Sequence, residues 1–225
     1  MFAKCENKNL FWVSLIEKAY AKLHHRYFAL GGGSTVEALY DLTGNLVEEC
    51  FIDNGDQMTK SNLLYNSLKV LCSDNCLIGA RLDMEMFPVM KRGMKDKFYA
   101  EAESMGIHPR YMYSILDVRD IVAPDENGKS NKCYMVRLKD PWAGSQEWKG
   151  SCSDFDTAFW TDAIKSAFNT RNKLDDEEEV DQTVTQRFVH EWNNTNDGVF
   201  AMRLSDFMKH FNHLTICRKP DETWL

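Results

Sequence analysis

Seven cysteines and six histidines are the residues of this 225-residue sequence that could supply a nucleophile and its base. A thiol becomes a useful nucleophile when an imidazole takes its proton and a third group orients that imidazole. No cysteine here follows Gln or Gly-Asp, and none pairs in sequence with a plausible base. The odd number and wide scatter of the cysteines do not make a disulfide framework. Cys72 and Cys76 have a spacing that hints at metal, but no second ligand pair follows, so buried or free thiols are expected. His24, His25, His190, His210 and His213 fall on expected helices or edges and read as surface or packing residues.

The bulk composition narrows the classes. Hydrophobic residues make up 44% and aromatic residues 12%, enough for a real core. The net charge of −7 argues against a nucleic-acid footprint, which needs clustered Lys and Arg. It suits a protein that meets cations or basic partners. No run approaches the roughly 20 apolar residues of a membrane span. The start, Met1 to Asn9, is polar and charged, unlike a signal peptide, so a reducing, cytoplasmic setting is expected.

Several elements must position whatever chemistry exists. Leu10 to Leu23 has the spacing of an amphipathic helix continuing to about Phe28, with Leu10, Val13, Leu15 and Ile16 on its apolar face. Gly31-Gly32-Gly33-Ser34 breaks it, and Ser34 with Glu37 starts a short helix over Val36 to Tyr40. Ser61 to Cys72 is a helix with Leu63, Leu64, Leu68 and Leu71 on one face, followed by a strand over Cys76 to Asp83. Met84 to Met105, holding Pro88 and Gly93, reads as a surface insertion with partial helix. Arg110 to Val118 alternates as a strand, with Tyr111, Tyr113, Ile115 and Asp117 on one side. Pro124 to Gly128 is a turn, and Lys132 to Lys139 returns as the second arm of an antiparallel hairpin. Phe155 to Phe168 and Leu204 to Phe211 read as helices, the latter capped by Ser205. Phe188 to Trp192 and Leu214 to Cys217 read as strands, and Asp175 to Asp181 as a solvated acidic loop.

Four blocks together resemble the calpain family, calcium-dependent proteases with a papain-like core. They are the helix Phe11 to Leu23; Gly32-Gly33-Ser34-Thr35 with Asp41-Leu42-Thr43-Gly44; Arg137 to Trp142 with Glu147-Trp148-Lys149-Gly150 and Ser153-Asp154; and Asp197 to Met202 through Asp206-Phe207 to Leu214-Thr215-Ile216-Cys217. The resemblance runs from about Phe2 to Cys217. It implies an α+β fold, mainly the second, antiparallel-sheet or half-barrel subdomain of a papain-like core with flanking helices. Residues 1–30 would be the terminal helix of the first subdomain, 31–217 the second subdomain and 218–225 a tail.

The same resemblance implies that the chemistry is dismantled. The family's nucleophile lies in Gly-Asp-Cys-Trp, which does not occur in this sequence. Its histidine belongs in a strand motif matched by Gly106 to Ser114, where Tyr111 takes the histidine's position. Phenols ionise near about pH 10 and make poor general bases at neutrality. Asp140 stands at the position of the orienting Asn, with no imidazole to orient. On strand parity His108, three residues before Tyr111, is expected on the opposite face. Glu147, Asp154 and Asp197, with Thr195 at a carbonyl position, match the family's calcium ligands, but Val199 replaces one further Glu. Weak calcium binding follows. An EF-hand alternative beginning at Asn193 fails at its twelfth position, Leu204. Trp142 matches the tryptophan that wedges the family's cleft. The implied protein is non-proteolytic and binds cytoskeletal or calpain-related proteins. The alternative is a fragment or isoform of a calcium-dependent cysteine endopeptidase.

Overall fold

Alternating apolar positions in the central segments build one antiparallel sheet, and helices pack on both of its faces. The computed structural model describes residues 3, 9–52, 57–87, 89–124, 129–142, 147–169 and 195–219. Among them, six strands run in the order β1-β6-β2-β3-β4-β5, every neighbouring pair antiparallel. They are β1 (Leu46–Phe51), β2 (Leu77–Arg81), β3 (Tyr113–Pro124), β4 (Ser130–Lys139), β5 (Val199–Arg203) and β6 (His213–Arg218). The helices are α1 (Trp12–Leu23), α2 (Thr35–Thr43), α3 (Gln57–Ser73), α4 (Arg92–Ser104), α5 (Asp162–Asn169) and α6 (Leu204–His210). The α+β expectation holds.

The hairpin β3–β4 is the spine, paired from Ser114↔Lys139 to Pro124↔Ser130, as the sequence pattern predicts. Its turn residues, 125–128, lie outside the described residues, as do Asp175 to Asp181 and Phe188 to Trp192. A register shift between Ile115 and Asp117 corrects the predicted face. Tyr113 and Ile115 are buried in the main core, whereas Asp117 meets Arg119 and Arg137 beside Phe168 of α5. One extra residue in a strand flips every later side chain, so simple alternation fails past it. The larger core holds Tyr113, Leu138, Phe200, Phe207 and Phe211 under α3, α4 and α6. A second core gathers Cys133, Met135, Trp160 and Phe168 around α5.

Other boundaries also depart from the sequence reading. α1 stops at Leu23, and a separate 3-10 turn covers Tyr27–Leu30 after His25 adopts φ 70°. Its apolar face is not core: Leu15 is 62% exposed and only Ala21 is buried. Leu63, assigned to the apolar face of α3, is likewise exposed. The segment read as an insertion contains a full helix, α4, whose Tyr99 and Ala102 are buried. The helix predicted from Phe155 begins only at Asp162. Arg203, whose side chain makes no capping hydrogen bond, occupies the cap position of α6 instead of Ser205. β1 and β5 were not predicted as strands. β1 carries adjacent Glu48 and Glu49 on an edge, and such a pattern does not announce a half-buried strand.

Ser34 is the predicted cap of α2: its Oγ accepts the Val36 N–H at 3.2 Å. Gly44 closes the same helix with φ 69°. Replacing Ser34→Ala should lower stability by about 1 kcal/mol, because a freed helix N–H loses its acceptor. Urea denaturation checks this, and an unchanged midpoint would show that water replaces the cap without loss.

Candidate functional site

The end of β4 brings the singled-out residues together. Asp140 is the first residue beyond the strand and is fully buried. Its Oδ1 accepts the Trp142 backbone N–H at 2.8 Å, and its Oδ2 accepts the Tyr113 hydroxyl at 3.3 Å. The Tyr113 hydroxyl in turn accepts the His108 backbone N–H at 2.8 Å. Asp140 is therefore a structural anchor for its own turn and for the start of β3. Burial, with the Asp140 carboxylate close by, pushes the Tyr113 phenol above its ordinary ionisation range, against the opposing His108 N–H.

Tyr111 lies just before β3, not inside it, and is 48% exposed. Its ring meets Trp142 edge-on at 5.4 Å, and Trp142 is half exposed. The two aromatics form a surface pair in front of the Asp140 turn. His108 corrects the parity argument. Residues 105–110 form turns, Arg110 has φ 68°, and the imidazole Nε2 comes to 3.9 Å from Asp140 Oδ2. The His108 and Tyr111 rings are 6.2 Å apart, on the same side of the turn. Strand parity governs only residues inside a strand, and β3 begins at Tyr113.

The six described cysteines are free thiols placed elsewhere, in strands, in α3 and in the loops at Cys76 and Cys152. Cys133 accepts from Arg203 Nη1 at 3.1 Å, and Cys217 contacts the Thr43 hydroxyl at 3.5 Å. Burial pushes the Cys72 and Cys152 thiols up to about 12, which keeps them protonated and inert at neutral pH.

The acidic residues form a second cluster behind Asp140. Glu147 and Asp154 are 5% and 4% exposed, and each has one carboxylate oxygen, Oε2 and Oδ2, without a hydrogen-bond partner. The other Glu147 oxygen accepts the Gly198 N–H. Gly198 has φ 85°, and its carbonyl accepts the Asp140 N–H at 2.7 Å, tying this loop to the end of β4. Asp197 is held by its own loop: Oδ1 accepts the Val199 N–H at 2.8 Å, and its N–H reaches the Thr195 carbonyl at 2.9 Å. Burial, then the charges of Glu147 and Asp197, push Asp154 up to about 8 despite the Arg137 guanidinium. Burial also raises Glu147, against the Gly198 N–H. A cleft of about 810 Å³ lined by Glu147, Trp148, Ser153, Asp156 and Asn196 opens onto this cluster.

The donors of this cluster are all oxygens, the preference of calcium, and two of them are buried and unpartnered. Against that, no three His, Cys, Asp or Glu side chains among the described residues converge closely enough to hold an ion as they stand. The donor chemistry fits calcium; complete coordination would require the loops to draw in. Sequence reasoning missed Lys139, whose Nζ donates to the Asp197 carbonyl at 2.7 Å. A basic residue directly before Asp140 is the only sequence signal for it.

The pattern of the calpain family cysteine proteases is matched over residues 1–218. The chain is 34% identical to human calpain-8, with 98% of this chain and 26% of that protein covered. It is 32% identical to calpain-A of Drosophila melanogaster, with 98% and 22% covered. It is also 32% identical to the calpain-type cysteine protease DEK1 of Arabidopsis thaliana, with 96% and 8% covered. The chain belongs to the calpain family of cysteine proteases, and it spans about a quarter or less of these three relatives. No helix among the described residues is long and apolar enough to cross a membrane.

Proposed function

We propose that this chain is a calpain-like module that leaves peptide bonds intact and acts by binding protein partners, cytoskeletal or calpain-related, in the cytoplasm. The observation that carries it is Tyr111. A phenol stands at the family's imidazole position, packs on Trp142, and faces an Asp140 already committed to Trp142 and Tyr113. The division at residues 30 and 31 into a first-subdomain helix and a second subdomain belongs to the same proposal. Glu147, Asp154 and Asp197, with the Thr195 carbonyl, would hold calcium weakly. Bound calcium would supply fixed positive charge between the two loops, compensating carboxylates that now crowd each other.

A second reading is a piece of a calcium-dependent cysteine endopeptidase. Two observations favour it: the chain spans a fraction of its relatives, and His108 brings an imidazole to Asp140. A casein-type assay with and without calcium separates the two. The chain should show no turnover in either condition. Tyr111→His joined to a first protease subdomain should gain activity over the same fusion carrying Tyr111. Turnover by the unaltered chain that vanishes with His108→Ala would overturn the first reading in favour of the second.

A further inference from the structure

We propose that Lys139 is a built-in cation of the acidic loop pair and sets its calcium affinity by opposing the metal. This rests on the reading of Glu147, Asp154 and Asp197 as a calcium site.

The geometry supplies three independent observations. Lys139 Nζ donates to the Asp197 carbonyl at 2.7 Å, so one oxygen of the kind calcium prefers is already committed to an ammonium. Two buried carboxylate oxygens, Glu147 Oε2 and Asp154 Oδ2, lack partners in the same cluster, and Lys139 is among the charges acting on Glu147. Lys139 also lies directly opposite Val199 in the β4–β5 register. Directly opposed residues of antiparallel strands project to one face. Beside the Arg137 guanidinium near Asp154, the loop pair therefore has Lys139 as a cation bonded to its Asp197 loop, with an aliphatic side chain facing it.

The Lys139 charge compensates part of the excess negative charge and tethers the Asp197 loop to β4 without metal. The same charge repels a divalent ion and, through the Asp197 carbonyl, pins the loop that carries the ligands Asp197 and Thr195. Calcium must bind against that charge and move that loop, and affinity falls accordingly. A carboxylate introduced at position 199 would first meet the ammonium across the strands, so its benefit appears fully only once the charge is gone.

The test is a cycle of the full chain, Lys139→Met, Val199→Glu and the double variant, titrated with calcium chloride by isothermal calorimetry. The thermal midpoint with and without calcium is a second readout. Lys139→Met should bind calcium about tenfold tighter than the parent, which is the loss of about 1.4 kcal/mol of opposition. The double variant should gain more than the two single changes combined. Lys139→Gln keeps a donor for the Asp197 carbonyl but no charge, and should share the gain; it also covers the case in which the Met variant folds poorly. Equal affinities for Val199→Glu and the double variant would overturn the role of Lys139 while leaving the calcium reading standing. No binding by any variant at millimolar calcium would overturn both.

Discussion

Gly106→Ala should destabilise this protein by about 4 kcal/mol, or roughly 10 °C in midpoint. Two effects add. Gly106 follows the end of α4 with φ 86°, a left-handed conformation that strains an L side chain. Its N–H reaches the Glu103 carbonyl at 3.0 Å while the Ile107 N–H reaches Ala102 at 2.9 Å, the paired bonds of a Schellman ending. The second effect is steric: a Cβ at this position would run into the carbonyl group of Glu147. Backbone cannot yield as a flexible side chain can, because the Lys149 N–H holds the same loop to the Met105 carbonyl at 2.9 Å. The loop that would move is the one carrying Glu147, so the proposed calcium binding should weaken with stability. Urea denaturation of purified Gly106→Ala checks the first part. A loss below about 1 kcal/mol would show that the 147–150 loop packs loosely on α4.

Asp154→Asn should stabilise the protein at pH 8 by about 2 kcal/mol in the absence of calcium. Burial and the neighbouring Glu147 and Asp197 raise Asp154 from its ordinary 3.8 to about 8. A carboxyl whose folded pKa is raised holds its proton more tightly folded than unfolded. The folded state then binds more protons across the interval, so stability falls as pH rises. This contribution is full below about pH 4, declines from there to about pH 8, and is lost above it. Asn has no proton to lose, so its pH profile should be flatter over that window and meet the parent profile near pH 4. Thermal melts from pH 4 to 9 read this directly. Parallel profiles would mean that the loops relax enough to hydrate Asp154. In the parent, calcium should recover part of the loss at pH 8, and in the Asn variant much less.

Several features were legible from residue order alone. The hairpin was readable because a long alternating run, a Pro–Asn-Gly turn and a return strand are local signals. The family blocks singled out Tyr111, Asp140, Glu147, Asp154 and Asp197, and in the fold the charges of Glu147 and Asp197 act on Asp154. The Gly106 ending of α4 was written in the sequence but went unread, because Pro88 and Gly93 drew the segment toward irregular structure.

Residue types and local order by themselves determined the class of fold, the central hairpin and the acidity of the loops. Only the tertiary structure decided which side chains meet. The extra residue between Ile115 and Asp117 turned Asp117 toward Arg137. A turn ahead of β3 delivered His108 to Asp140, and the β4–β5 register set Lys139 opposite Val199. Local patterns carry periodicity, but they carry neither the bulges and turns that reset it nor the pairing between strands some 60 residues apart, which is fixed only when loop closure and core packing select one register.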